Sequence, residues 1–297
     1  MGRYGAVEAG GTKFICAVGG SPDTIDSELT IDTASSELTL SRVVEFFVDH
    51  HRQQPLDAIG VGCFGPVDLS PDSPTYGHIT TTPKPGWGHV DILGPLRMLD
   101  LPLGFDTDVN AAALGEQRWG AAQGLQNLVY LTVGTGIGGG AVVEGNLLHG
   151  LVHPEMGHVP VPHDLATDPF AGACPFHGDC LEGLASGPAI QQRWGRPAPS
   201  LESHHPAWDL EARYLACALA NFIFTLSPQR LILGGGIMEQ SHLFPKVRQQ
   251  LTEQLRGYIQ SPAILEDIDH YVVPPGLGSR PGICGGLVLA EQAVRIG

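Results

Sequence analysis

The chain has 297 residues, of which 42% are apolar, enough to bury a large core and to build two domains of ordinary size. A formal net charge of −15 at pH 7 argues against the broad basic footprint that grips nucleic acid, and no apolar run is long enough to span a bilayer. An anionic ligand would have to be held by local devices: backbone N–H groups, one or two lysines, or a metal ion.

In chain order, residues 4–8 and 14–18 are short apolar strand candidates joined by a tight Gly10-Gly-Thr-Lys13 turn. Residues 40–51 place apolar side chains at helical spacing, and residues 58–64 read as a strand ending in Gly65-Pro66. The run 71–85, rich in Pro, Thr and Gly, is a loop. A strand over 102–105 leads into Asp106-Thr-Asp108, and residues 109–119 turn helical. The opening pattern then returns. Residues 128–133 are a strand, 134–140 a glycine-rich turn and 141–143 the returning strand, which suggests two related halves. Residues 150–180 form a loop insert, 209–226 a strongly apolar helix, and 230–233 a strand ending in Gly234-Gly-Gly236. Residues 244–258 and 283–294 are further helices. Alternating strands and helices predict an α/β fold, with a domain boundary near residue 107.

Three glycine turns end strands: Gly10-Gly11-Thr12-Lys13, Gly134-Thr135-Gly136-Ile-Gly138 and Gly234-Gly235-Gly236. Glycine lets a ligand approach the backbone, and successive N–H groups make a concave anion site. None has Walker A spacing. Each alone is as readily a plain hairpin turn; three together point to a nucleotide. Asp108 stands where a strand gives way to a helix, as either an N-cap or a general base.

The loop insert carries Cys174-Pro-Phe-His177-Gly-Asp-Cys180, with His158 upstream. Two thiolates and two imidazoles make the ligand set of a closed tetrahedral structural zinc site, against the alternative of a surface loop with two unpaired thiols. Glu155 and Glu182 flank it. The remaining cysteines, Cys16, Cys63, Cys217 and Cys284, read as small buried hydrophobes. The opening residues have neither the apolar region of a secretory signal nor a myristoylation pattern, so a reducing cytoplasm is expected, where paired Cys and His favour metal over a disulfide.

Glu8-Ala-Gly-Gly-Thr-Lys13, Thr107-Asp-Val-Asn-Ala-Ala-Ala-Leu-Gly-Glu116, Gly134-Thr-Gly-Ile-Gly-Gly-Gly140, Glu155-Met-Gly-His158 and the Cys/His loop stand in the order seen in ROK-family sugar kinases, across nearly the whole chain. Thr81-Thr-Pro-Lys-Pro-Gly-Trp87 resembles the bacterial fructokinase branch in particular. The resemblance implies an actin-like (ribonuclease-H-like) fold of two α/β domains, 1–107 and 108–282, with the closing helix 283–297 returning to the first and ATP and sugar in the cleft between them. It implies phosphorylation of the primary hydroxyl of a hexose, D-fructose first and mannose or glucose as the alternative. A non-catalytic sugar sensor is the reading from another class.

Residue by residue, Asp108 matches the family base and Glu155, His158 and Glu182 match groups that hold sugar hydroxyls. His158, Cys174, His177 and Cys180 match the zinc ligands. Gly10–Lys13 and Gly134–Gly138 match the phosphate turns, while Pro188 and Gly234–Ile237 match the adenosine side. ATP, Mg²⁺ and Zn²⁺ are the implied cofactors, and a homodimer without nucleic-acid or membrane partners the implied state. Glu8 departs from the Asp of many relatives and Thr107 from the Asn of glucokinase-like members, both in the direction of the fructokinase branch. No stretch before Gly10 has room for the helix-turn-helix domain of the repressor members.

Overall fold

A computed structural model describes residues 2–296; Met1 and Gly297, the outer ends of the expected first domain and closing helix, lie outside them. In chain order the elements are β1 (Tyr4–Ala9), β2 (Lys13–Gly19), β3 (Ser27–Asp32), α1 (Ser36–Gln53), β4 (Ala58–Cys63), β5 (Leu103–Thr107) and α2 (Asp108–Trp119). There follow β6 (Leu128–Val133), β7 (Ile137–Val143), β8 (Asn146–Leu147), α3 (Leu181–Ala185), α4 (Gly187–Trp194) and α5 (Ala207–Leu226). The last elements are β9 (Arg230–Gly234), α6 (Leu243–Leu255), α7 (Pro262–Leu265), α8 (Ile268–Tyr271), β10 (Val272–Val273) and α9 (Pro281–Ile296).

Two compact units result. Unit 1 holds residues 1–124, 147–154 and 276–297; unit 2 holds 125–146 and 155–275. The first boundary falls after α2, later than the residue 107 expected from the sequence. The reason is packing: α2 lies against α9 so closely that a Cβ on Gly285 would stand 1.6 Å from the Ala111 carbonyl oxygen. Ala111 and Leu114 share a cluster with Val288 and Leu289, so the helix that opens at Asp108 belongs to the first core.

Unit 1 is built on a sheet of order β3-β2-β1-β4-β5, with β1 antiparallel to β2 and parallel to β4. Helix α1 starts four residues earlier than its apolar spacing alone predicts, because the Ser35 side chain accepts from the Leu38 N–H and caps it. Its buried stripe, Leu40, Val43 and Phe47, joins Val7, Phe14, Ile59 and Trp87 in the main core. Helix α9 supplies Ile283, Cys284 and Leu287 to a second cluster with Ala6 and Ala17. Gly60 permits that approach, since a Cβ there would sit 2.0 Å from the Gly286 carbonyl oxygen.

Unit 2 has a sheet of order β10-β9-β6-β7-β8, with β6 antiparallel to β7 and parallel to β9. Helix α5 is buried along most of its length, from Trp208 through Tyr214 and Leu219 to Ile223, and ends at Ser227 in the left-handed region just before Pro228. Strand β7 begins at Ile137, so part of the run read as a turn is in fact strand. Met156 lies so near Gly139 that a Cβ there would come within 2.7 Å of it, which favours glycine at that position. Helices α3 and α4 follow the 150–180 insert directly, in a stretch where the sequence announces no element.

Candidate active site

In unit 1, the β1–β2 turn closes with the Gly10 N–H donating to the Lys13 carbonyl at 3.0 Å, and the Thr33 hydroxyl donates to the Gly10 carbonyl at 2.8 Å. Gly11, Thr12 and Lys13 are exposed, and nothing stands within 4 Å of where a Gly11 side chain would begin. The Glu8 carboxylate lies at the start of α9, where a Cβ on Gly282 would approach its carboxyl carbon to 2.5 Å. Its Oε2 is buried without a hydrogen-bond partner. Burial, and secondarily the charge of Asp108, push the Glu8 carboxyl up to about 7, against Lys13 and the Ile283 N–H.

The N-cap of α2 is Thr107, whose hydroxyl accepts from the Asn110 N–H at 3.1 Å. Asp108 is thus the first helical residue and free of the capping role that the sequence left open. Its Oδ1 accepts from the Val109 N–H at 2.9 Å. A helix N-terminus favours a charged carboxylate. Here desolvation wins, and the carboxyl rises from 3.8 to about 6 despite the Val109 and Asp108 N–H groups. The residue keeps partial solvent contact. That combination suits a group that must be ionised near neutrality and still be basic enough to take a proton.

In unit 2, the second glycine turn is held by the Gly134 N–H donating to the Gly136 carbonyl at 2.9 Å. The Gly187 N–H donates to the Gly134 carbonyl at 2.7 Å, and the Ile237 N–H donates to the Val133 carbonyl at 3.0 Å. Gly235 has φ 88°, and a Cβ there would meet the Val133 carbonyl oxygen at 2.4 Å. Gly134–Gly136, Pro188 at the start of α4 and Gly234–Ile237 are thereby brought together around one strand end, with Thr135 and Gly236 exposed. Glu182 joins them, its Oε2 accepting from the Ile137 N–H at 2.9 Å. Glu155 and His158 bracket a short helical turn whose Gly157 lies against β7, and the His158 N–H donates to the Glu155 carbonyl at 3.0 Å.

The four Cys and His residues singled out by spacing also meet in unit 2. His158 Nδ1 is 3.7 Å from Cys174 Sγ and 3.5 Å from Cys180 Sγ, and His177 Nδ1 is 3.7 Å from Cys174 Sγ. All four ligand atoms lie within 4.8 Å of one another, a cluster that could hold a metal ion. Gly178, at φ 66°, turns the loop so that Cys174 and Gly178 exchange backbone hydrogen bonds.

Two polar clusters escape the sequence reading. In unit 1, the buried Asp106 accepts from the Thr107 N–H and the Asn110 side-chain amide, each at 2.7 Å, and pairs with His149 Nε2 at 2.9 Å. In unit 2, Asp168 accepts from the Tyr214 hydroxyl at 2.6 Å and from Arg193 Nε at 3.2 Å, while His163 Nδ1 reaches Asp179 Oδ2 at 3.0 Å inside the Cys/His loop. The one sequence signal for the first was the acidic pair Asp106-Thr-Asp108; nothing in spacing links residue 106 to 149.

Residues 4–293 match the profile of the ROK family. The chain belongs to the ROK family. A Bacillus subtilis (strain 168) protein is 49% identical over 98% of this chain and 96% of its own length. A fructokinase of Pediococcus pentosaceus is 42% identical over 98% of each chain. Among solved structures, a ROK hexokinase from Thermus thermophilus has a TM-score of 0.78 at 27% identity, covering 99% of this chain and 100% of that one. The fold is accordingly the actin-like ATPase fold of ROK sugar kinases. No helix among the described residues is long and apolar enough to cross a membrane.

Proposed function

We propose that this ROK protein is an ATP-dependent fructokinase, transferring the γ-phosphoryl group of ATP to the primary hydroxyl of D-fructose to give fructose 6-phosphate. The observation that carries the reading is Asp108: a carboxylate at the start of α2 with a pKa that desolvation raises to about 6, relieved of capping by Thr107. It would accept the hydroxyl proton as the sugar oxygen attacks phosphorus. Glu155, His158 and Glu182 would hold sugar hydroxyls, with Glu182 fixed through the Ile137 N–H. The Gly10–Lys13 and Gly134–Gly136 turns would present N–H groups to phosphate oxygens, and Pro188 with Gly234–Ile237 would take the adenosine side. Phosphoryl transfer needs chiefly positioning and charge stabilisation, which such fixed dipoles supply.

The chain also suits the two metals of the reading. Glu8 Oε2, buried and unpartnered, fits the neighbourhood of a divalent cation, which would offset the burial and the Asp108 charge that raise the carboxyl. Mg²⁺ bound with ATP neutralises charge on the phosphates. Three of the six separations in the Cys/His cluster, 3.5–3.7 Å, match the edges of a tetrahedron, roughly 3.3–3.8 Å for zinc bonds of about 2.0–2.3 Å. Zinc held by His158, Cys174, His177 and Cys180 would stiffen the segment that carries Glu155 and Glu182. Cytoplasmic location and a homodimer complete the proposal and rest on the family resemblance.

The fructokinase of Pediococcus pentosaceus and the Thr81–Trp87 run support fructose; the Thermus thermophilus hexokinase supports a broader hexokinase as the second reading. ADP release measured across fructose, mannose, glucose and N-acetylmannosamine decides between them. Fructose should give the highest kcat/KM, because the wrong sugar leaves buried polar partners unpaired. A preference for glucose or mannose would replace fructokinase by hexokinase, and silence with every sugar would leave a sensor.

A further inference from the structure

The segment 147–154 belongs to unit 1, although the chain on both sides of it belongs to unit 2. Two histidines attach it. His153 is buried, and its Nε2 accepts from the Val67 N–H at 3.1 Å. His149 lies nearer the surface, its side chain 41% exposed, and its Nε2 meets Asp106 Oδ2 at 2.9 Å. Between them Leu151 and Val152 stand out in solvent.

Asp106 is 4% exposed and two residues before the candidate base. Its Oδ1 takes the Thr107 N–H and the Asn110 side-chain amide together, so one oxygen grips the residue before Asp108 and the residue two after it. Thr107 in turn caps Asn110. The rotation of the Asp106 carboxylate therefore sets the strand-to-helix turn on which Asp108 sits, and the partner of its other oxygen is His149. The imidazole is held toward its charged form by the hydrogen bond to Asp106 first, against partial burial, with the charge of Asp106 adding to it. His149 is thus a donor on a buried carboxylate, the kind of contact whose loss leaves an acceptor unsatisfied.

We propose that His149 is a positioning residue for the phosphoryl-transfer step: by fixing the Asp106 carboxylate it holds the Thr107–Asn110 turn in the form that aims Asp108. The proposal rests on the reading of Asp108 as the base. His153 anchors the segment independently, so replacing His149 leaves the segment attached and its effect falls on Asp106 and on the Asn110 side-chain amide, which lies 3.4 Å from the same Nε2.

The test compares the full-length His149→Phe, His149→Gln and Asp108→Asn proteins, each assayed for kcat, KM for ATP and fructose, and melting temperature. In His149→Phe kcat should fall by about 10- to 100-fold, the range that follows from displacing a reacting group by a fraction of an ångström to one ångström. KM for ATP should stay near the parent value, and the melting temperature should fall by no more than the loss of one hydrogen bond to a charged group accounts for. His149→Gln, which restores an N–H donor, should recover most of kcat. An unchanged kcat in His149→Phe overturns the proposal. So does an equal loss in Phe and Gln variants, whether or not stability falls with it, because packing alone would then explain the effect. Asp108→Asn separates the two levels: activity surviving there removes the base itself, whereas an inactive Asp108→Asn beside a fully active His149→Phe removes only the positioning role.

Discussion

Strands β1 and β6 occupy the same place in their two sheets. Each pairs antiparallel with the strand that follows its glycine turn and parallel with a later strand, so β3-β2-β1-β4-β5 in unit 1 corresponds to β8-β7-β6-β9-β10 in unit 2. The surroundings of the two turns differ. Around the first stand ionisable groups with displaced pKa values, Glu8 at about 7 and Asp108 at about 6. Around the second the contacts are mostly backbone: Gly134 to Gly187, Ile237 to Val133, with Glu182 the acidic side chain bonded to it. One hairpin plan thus serves in one unit as a place to store proton affinity and in the other as a rigid mould. The lesson is that a repeated backbone does not repeat its chemistry.

Substitutions can break that contrast, the strongest at Asp108. Asp108→Asn keeps the shape of the turn and, with Thr107 as cap, costs no capping bond. A positioned base contributes about 10²–10⁴-fold, so kcat should fall by that order. The folded pKa lies above the ordinary 3.8, so the stabilisation linked to protonation is full below that value and lost as pH rises through about 6. The variant, which never ionises, should therefore melt no lower than the parent at pH 7–8. A lower melting temperature with retained kcat would make this turn structural, like the second one.

Next in size is the brace of unit 2. Cys174→Ser should remove the metal, about one zinc per chain by elemental analysis, and lower kcat/KM for fructose on the order of 10- to 100-fold. Freshly prepared parent protein free of zinc would leave the mould to be stiffened by the Asp168–Tyr214–Arg193 cluster instead. Gly136→Val tests the mould itself. A Cβ there comes 2.8 Å from Glu182 Oε2, so the change disturbs both the turn and its acidic partner. Losing one N–H contact to a charged phosphate amounts to about 1.5–3 kcal/mol, and KM for ATP should rise about 10- to 100-fold. An unaltered KM would reduce the second turn to a plain hairpin.

The smallest effect sharpens the comparison from the other side. Asp108 must be ionised to accept a proton, so kcat/KM should fall about tenfold per pH unit on the acid side of an inflection near 6. Gly136→Val should leave that inflection in place, since its carboxylates belong to unit 1. A shift of the acid limb in Gly136→Val would show that the proton chemistry is not confined to the first hairpin.

Much of this was legible in the chain. The glycine turns, the Cys/His cluster and the residues around Asp108 announce themselves by local spacing, and local spacing is what a hairpin, a loop ligand set and a helix start depend on. The elements that were not read had mixed signals. Strand β3, Ser-Glu-Leu-Thr-Ile-Asp, is an edge strand with mostly polar alternation, and β7 carries three consecutive glycines that look like turn. The Asp106–His149 and Asp168–Tyr214 pairs join residues 43 and 46 positions apart, where no periodicity operates. That Asp108 is not the cap needed the structure, because only geometry assigns the cap to Thr107.

Helix α9 carries one further consequence, for the order in which the chain can fold on the ribosome. Its glycines lie against α2 and β4, and its Ile283 and Leu287 complete the cluster with Ala6 and Ala17. Unit 1 therefore encloses β1 and β2 with a helix made after the whole of unit 2. Unit 2 ends at residue 275. At about 5–20 residues per second, β1 to α2 wait through the synthesis of the whole second unit before the helix that covers them emerges. Of these two units, the one begun first is finished second, and Glu8, whose carboxyl feels the charge of Asp108, lies beside the helix that finishes it.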